Sequence, residues 1–412
     1  MTREFWIETL GCPKNQVDSD KLVGTLLADG LVPASSAAAA DLVVVNTCAF
    51  IEEARQESID TVLTLGERRR DGAELVVTGC LAERYGHDLA TALPEADAVA
   101  GFGVPVSLGP KPAPAVPSFD LLELPRPPAT APWAYVKIAE GCDRKCGFCA
   151  IPSFRGPQRS RTIDSILAEV DRLGVEEIVL VAQDLASFGR DQGVGDKTIV
   201  PLVQAVTERV RWVRLLYLYP SELDDRLVDT ILATGVAYFD LSLQHVSAPL
   251  MRRMRRWGNG DRFRERIATI RELAPEATFR SNFIVGYPGE TESDHDELLA
   301  FVTEAELDWC GFFAYSLEAG TYAADLDGVV EPGLVQQRLR ELQEIQDSIT
   351  AVKRDELLGR RVEVLVDEPG IGRTYREAPE IDGIVRVPGH LEPGSFCSLT
   401  VSGAVGPDLE AA

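Results

Sequence analysis

Nowhere in the 412 residues do about 18 apolar side chains run together, which excludes a membrane-crossing helix. The opening Met1-Thr2-Arg3-Glu4-Phe5-Trp6 lacks the apolar core of a secretion signal and already reads as a strand. The expected location is therefore the cytoplasm. An Ala run at 37–40 is too short to span anything. No unit repeats at the period of a solenoid. Basic residues are scarce: 41 Lys and Arg stand against 65 Asp and Glu, a net charge of −24. That charge repels nucleic-acid phosphates at long range and attracts basic partners. Neither a membrane nor DNA is an expected partner. What remains is ordinary for a globular chain, 45% hydrophobic and 26% charged, so wholesale disorder is excluded.

Proline marks the first boundary. Residues 105–132 hold nine of the 25 prolines, which predicts an extended linker and forbids a helix or central strand. Before it, residues 1–104 alternate strand and helix. Strands are predicted at 5–10, 41–47 and 74–78, and helices at 17–29, 51–69 and 81–92. Buried strands alternating with helices predict a doubly wound parallel sheet. Residues 133–332 continue the alternation, with strands at 134–139, 177–182, 212–218, 238–243, 278–285 and 309–315. Six such units predict a full or partial (β/α) barrel, with two open sheets as the alternative. A helix follows over 333–358. Residues 359–412 carry runs at 362–367, 373–377, 383–387 and 396–404, which predict a small antiparallel β-barrel of OB-like size.

The eight cysteines of a chain expected in a reducing compartment point to metal or redox chemistry, not to disulfides. Cys142, Cys146 and Cys149 form C-x3-C-x2-C directly after the first strand of the middle segment, at the end where barrel active sites lie. Three thiolates on one loop hold three corners of a cubane cluster, and full cysteine ligation takes four. One iron is then left open. Zinc is the rival metal, but its sites usually take four ligands and no His lies within ten residues. Cys12, Cys48 and Cys80 each follow a predicted strand of the first segment. In a parallel sheet those ends share one edge, so a second three-cysteine cluster site is expected. Cys310 and Cys397 have no partners and are read as core residues.

C-x3-C-x2-C after the first strand of a (β/α) barrel resembles the radical S-adenosylmethionine (SAM) enzymes. The resemblance implies SAM bound at the open iron and a 5′-deoxyadenosyl radical that abstracts hydrogen from inert carbons. With the other triad and the terminal β-barrel, the chain resembles the methylthiotransferases over nearly its whole length. Two [4Fe–4S] clusters, SAM and a terminal TRAM domain are implied, as are an external electron donor and sulfur source. Four stretches resemble the RimO branch: Leu10-Gly11-Cys12-Pro13-Lys14-Asn15, Cys149-Ala150-Ile151-Pro152-Ser153-Phe154-Arg155-Gly156, Leu243-Gln244-His245, and Arg376-Glu377-Ala378-Pro379-Glu380-Ile381-Asp382-Gly383. That branch implies methylthiolation of the β-carbon of an aspartate in small-subunit ribosomal protein S-twelve, free or in the ribosomal subunit. The alternatives are a tRNA adenosine methylthiotransferase and, in another class, a non-catalytic iron–sulfur electron carrier or RNA-binding module.

No residue is assigned a catalytic role. Gln183, Ser242 and Gln244 at strand ends, with the loop residues Gly286, Pro288, Gly289 and Glu290, are candidate cofactor contacts. The loop equally suits a helix-entry turn, and His245 is a weak candidate acid or base. Arg144, Lys145, Arg155, Arg159 and Arg161 flank the cysteine loop and suit a reduced cluster, and Arg155 is a candidate for the target aspartate. Met251–Arg256 is a basic run, read by default as a solvated helix face, with ribosomal RNA contact as the alternative. Residues 359–412 hold five Arg, no Lys and nine Asp or Glu. An RNA groove needs clustered positive charge. Glu377, Glu380 and Asp382 are therefore expected to dock a basic protein.

Overall fold

The computed structural model describes residues 2–108, 120–193 and 198–412. In the first domain β1 (Glu4–Thr9), α1 (Pro13–Ala28), β2 (Leu42–Thr47), α2 (Glu52–Arg68), β3 (Glu74–Gly79) and α3 (Cys80–Ala92) alternate. The three strands pair in parallel, β1 with β2 and β2 with β3. Two-residue strands, Val32–Pro33 and Ala98–Val99, close the edges. β2 is buried along its whole length, as a Leu-Val-Val-Val run demands in a sheet covered on both faces. Strand order reverses between β1 and β2, the switch point at which open α/β sheets bind ligands. Helix α1 begins at Pro13 and not at 17, because proline at the first helical position presets its φ.

Residues 109–119 of the proline-rich segment, with Pro110, Pro112, Pro114 and Pro117, lie outside the described residues. The described flanks are no loose spacer. Val106 and Leu121 pack into the core of the first domain with Phe5, Leu22 and Leu26. Arg126 bridges Asp20 of α1 (2.8 Å) and Glu169 of the next domain (3.0 Å). The described parts of the expected linker are thus packed against the two domains.

The middle domain contains β4 (Trp133–Lys137), β5 (Glu177–Val181), β6 (Trp212–Leu215), β7 (Tyr238–Gln244), β8 (Thr278–Val285) and β9 (Trp309–Ala314). Two parallel three-stranded sheets, β4-β5-β6 and β7-β8-β9, join through the bridge Leu218–Leu241. The result is a partial barrel. Glu318, after β9, clamps the first domain through Arg55 (2.5 Å) and Arg84 (2.6 Å).

After the helix Pro332–Asp355, five strands close into a barrel: β10 (Arg361–Glu368), β11 (Ile371–Arg373), β12 (Val385–Arg386), β13 (Phe396–Val405) and β14 (Asp408–Ala411). It is not wholly antiparallel, since β12 and β14 run parallel. β14, a four-residue strand whose Leu409 and Ala411 face the barrel core, is not predicted from the sequence. The sequence predicts β11 as far as 377, whereas residues 374–382 leave the barrel and plug the partial barrel above them. That segment meets a side chain from each of five middle strands, toward the strands' N-terminal ends. Tyr135 donates to the Pro379 carbonyl (2.8 Å), Arg214 to Tyr375 (3.0 Å), and Trp309 to Arg376 (2.8 Å). Tyr238 donates to Asp382 (2.6 Å), and Arg280 stands 3.4 Å from the same carboxylate. From β11, Arg373 reaches Glu177 of β5 (2.7 Å).

This corrects the expectation for the acidic segment. Glu377 is fully buried, paired with Arg354 and bonded to the Thr374 amide (2.7 Å). The Asp382 carboxylate is 2% exposed. Only Glu380 of the three faces solvent. The first two hold domains together, at the end of the barrel opposite the cysteine loop, and present no docking face.

Candidate cluster sites

Each cysteine of the first triad stands where a strand ends. Cys12 caps α1, Cys48 follows β2, and Cys80 opens α3. Two glycines make the crowding possible. A Cβ on Gly11 would lie 2.9 Å from the Cys48 sulfur, and one on Gly79 would lie 2.3 Å from Asn46 Oδ1. Both adopt positive φ, near +90°. Asn15 ties the three loops together. Its amide donates to the carbonyls of Leu10 (2.9 Å) and Thr47 (3.0 Å), and its oxygen faces the Cys80 thiol at 3.6 Å. The three thiols are close enough that Cys12 and Cys80 both oppose ionisation of Cys48. Burial pushes Cys48 up to about 12. Burial raises Cys12 as well, but Lys14, Arg155 and the helix-terminal amides outweigh it and hold that thiol below its usual value.

The second triad lies on the loop after β4. Its backbone is gripped at both ends: the Cys142 amide donates to Gly156 (3.1 Å) and the Gly147 amide to Met254 (2.8 Å). Arg256 points a guanidinium N–H at the Cys146 sulfur (3.3 Å), and the Arg144 amide points at that of Cys142 (3.4 Å). Both guanidiniums stand over the Tyr219 ring, at 4.0 and 4.1 Å. Burial raises Cys142 to about 11 and Cys149 to about 12, and each member's charge opposes its neighbours'. Such thiols ionise when a metal supplies positive charge.

Among the described residues, no group of three Cys, His, Asp or Glu side chains closes on a point that would hold a single metal ion. Cubane thiolates each bind a different iron and therefore stand farther apart. Two converging triads with cationic N–H donors aimed at sulfur fit a cluster better than zinc.

One lattice of buried charge joins the two sites. Arg155, six residues after Cys149, donates to the Cys80 sulfur (3.0 Å), to Asn15 (3.0 Å) and to Glu140 (2.7 Å). Glu140 also accepts from Lys137 (2.7 Å) and Gln183 (2.6 Å), and Lys137 pairs with Asp18 of α1. Burial would raise the Glu140 acid, but Arg155 and Lys137 hold it far below the carboxylate range. Arg155 is 8% exposed and committed to Cys80, Asn15 and Glu140, so it is not free for a substrate aspartate. Of the other flanking cations only Arg144 approaches a cysteine. Arg159 pairs with Asp120 (2.6 Å), Arg161 with Glu169 (2.6 Å), and Lys145 is exposed.

Gln183, Ser242 and Gln244 lie at the same barrel end as Cys142. Gln183 Oε1 is buried without a partner, as are Asn282 Oδ1 and the Tyr315 hydroxyl; such orphaned acceptors suit a polar cofactor. Glu290 faces inward instead, accepting from the Gly286 and Tyr287 amides and from Arg338 (3.0 Å). It shapes the 286–290 loop. Arg253 of the basic run donates to the Pro288 carbonyl of that loop (2.8 Å). With Arg256 on Cys146, Arg253 and Arg256 are structural, while Arg252 and Arg255 stay exposed as the solvated-face reading expects. His245 is fully buried, accepts from the Ser247 amide (3.1 Å), and is pushed down to about 4 by burial, so it stays neutral. Cys310 and Cys397 sit in β9 and β13, away from both triads. Asn15, Glu140, Lys137 and Asn282 were missed from sequence because their role depends on which strand they face. Asn15 stood inside a quoted motif and was the one with a signal.

Comparison with known proteins supports this arrangement. Residues 4–101 match the uncharacterized protein family UPF0004, residues 136–302 the radical SAM superfamily, and residues 358–412 the TRAM domain. A ribosomal protein uS12 methylthiotransferase RimO from Moorella thermoacetica is 42% identical, over 96% of this chain and 95% of its own. The protein of that name from Sorangium cellulosum is 40% identical, over 99% and 90%. In fold the chain is similar to the radical S-adenosylmethionine methyltransferase TsrM from Kitasatospora setae, with a TM-score of 0.50, 13% identity, and coverage of 90% and 80%. With full-length identity of this order and all three domains matched, the chain belongs to the RimO family of ribosomal protein uS12 methylthiotransferases, enzymes of the radical SAM class.

Proposed function

We propose that this chain adds a methylthio group to the β-carbon of an aspartate in ribosomal protein uS12. Cys142, Cys146 and Cys149 hold the cluster whose open iron takes SAM, and Cys12, Cys48 and Cys80 hold the second. Bound there, the cluster and SAM supply one-electron chemistry that acid–base groups cannot. The chain's residues position and shield it. Arg256 and the Arg144 amide direct N–H groups at the radical-site thiols, and Arg155 directs one at Cys80 of the other triad, whose thiol also faces the Asn15 oxygen. Gln183 and Asn282 offer free acceptors at the barrel end. Electrons and sulfur come from partners outside the chain.

The observation that carries the reading is the Arg155 bridge. From the segment that follows the second triad, its buried side chain crosses the domain boundary onto Cys80 of the first, which supports a reaction that uses both sites. Mass spectrometry of uS12 and of bulk tRNA from a strain lacking the gene tests it. Loss of 46 Da from uS12 alone is expected, roughly the mass of SCH3 replacing H. Loss of a methylthio group from tRNA, with uS12 unchanged, would overturn it.

A further inference from the structure

Lys14 is a cation with no carboxylate bound to it among the described residues; the charge it faces is the thiol of Cys12. It lies in the first turn of α1, where no acidic residue balances it and where the helix dipole disfavours positive charge. Its ammonium sits 3.5 Å from the centre of the Tyr217 ring and makes no hydrogen bond or ion pair among the described residues. The ionisable groups that face it are Cys12, Tyr217, Arg155 and Asp240. Asp240, the one carboxylate, is already engaged by the Tyr217 amide (2.9 Å) and by Arg280 (3.1 Å). Arg155 adds a second positive charge and is itself committed to Glu140 and Cys80.

Tyr217 supplies an independent observation. It follows β6, and its φ of +65° is rare for a residue with a side chain. Strain of this kind persists where the surroundings over-determine it, and it clusters at ligand sites. Its amide bond to Asp240 holds that conformation and so aims the ring under Lys14. The Tyr217 hydroxyl, like the ammonium, has no hydrogen-bond partner among the described residues. Both residues are half-buried, with part of each open to solvent.

We propose that Lys14 and Tyr217 form the seat for a carboxylate of the substrate, the side-chain carboxylate of the target aspartate. This rests on the reading given under Proposed function. In an aspartate the carboxylate is bonded directly to the β-carbon. A cation two residues from Cys12 therefore holds that carbon beside the first triad. An uncharged nucleobase would find no use for the ammonium. Lys14 is thus a positioning residue that selects a carboxylate substrate.

The test measures binding of purified uS12, and of uS12 with its target aspartate changed to asparagine, to the cluster-loaded enzyme by calorimetry. Wild type is expected to prefer the aspartate form by at least about tenfold, the size of one charge-assisted hydrogen bond. Lys14→Met should reduce that preference to near one, and Lys14→Arg should restore most of it. Iron content and a redox titration of the first cluster are read on the same samples. A preference that survives in Lys14→Met would overturn the proposal. So would a shifted cluster potential with the preference unchanged, which would make Lys14 a counter-charge to the thiolates. Failure of the wild type to methylthiolate uS12 at all would overturn the parent reading and this inference together.

Discussion

Replacing Glu177 with Gln removes the carboxylate at the centre of the joint between the middle and terminal domains. Glu177 is fully buried and bridges Arg214 (2.8 Å) and Arg373 (2.7 Å), themselves 0% and 2% exposed. Breaking a buried pair by removing one partner costs about 3–5 kcal/mol, because the other charge is left uncompensated. Here two guanidiniums are affected unequally. Arg373 keeps both oxygens of Asp367, at 2.7 and 2.9 Å. Arg214 keeps the Tyr375 carbonyl as a hydrogen-bond partner and the Tyr238 ring beneath it, and its second terminal nitrogen already lacks a partner. The lower end, about 3 kcal/mol, is the expected loss at pH 7. With a urea slope of about 3 kcal/mol per molar, the midpoint should fall by about 1 M. Tryptophan fluorescence reports this joint directly, since Trp133, Trp212 and Trp309 contact Arg373, Phe396 and Arg376 of the terminal barrel. The pH dependence has a defined sign. Burial alone would raise Glu177, but Arg373 and Arg214 hold it below its usual value. Its stabilisation is therefore present above the unfolded value near 4.5 and is lost as pH falls through the native one. Wild type and variant should converge on acidification. A midpoint shift under about 0.2 M at pH 7, or a gap that widens toward acid, would refute the argument. Deleting residues 359–412 should have a larger effect, since it takes one partner each from Glu177, Arg280 and Arg354 at once. The truncated protein is expected to lose its barrel and SAM cleavage with it.

Cys142→Ala, Cys146→Ala or Cys149→Ala should abolish 5′-deoxyadenosine formation and leave roughly half the iron, because two thiolates do not retain a cluster firmly; iron assay and product analysis check this. Cys12→Ala, Cys48→Ala or Cys80→Ala should leave that cleavage measurable while methylthio transfer stops, and continued transfer in all three would make these cysteines core residues. Arg155→Gln removes a charged N–H donor from Cys80 and should lower the potential of the first cluster by on the order of 50 mV, read by redox titration with spectroscopic detection; an unchanged potential contradicts the contact. Asp382 shows the opposite linkage to Glu177, for burial lifts its acid to about 6 despite Arg280 and Tyr238. The native state then holds this proton more tightly than the unfolded chain, and the associated stability is lost as pH rises through about 6. Asp382→Asn should therefore gain about 1 kcal/mol relative to wild type between pH 5 and 7.5, and urea titrations at the two pH values decide it.

The chain alone determined the chemistry-bearing residues and the layers that carry them. Leu42-Val43-Val44-Val45 is long and apolar enough only for a strand covered on both faces, and C-x3-C-x2-C is a local pattern whose meaning survives without a fold. Local periodicity likewise fixed six strands of the middle domain and the long helix after it. Contacts between residues distant in sequence were beyond its reach. Arg155 reads as one cation among five beside the cysteine loop, and only folding shows that it alone crosses to Cys80. Glu377 and Asp382 read as surface acids because charge is normally exposed. Tertiary structure buries them against Arg354, Arg280 and Tyr238, donated by three other elements. A buried charge is affordable only when its partner is delivered to it, and that partner is chosen by the packing of whole domains, which no local pattern encodes.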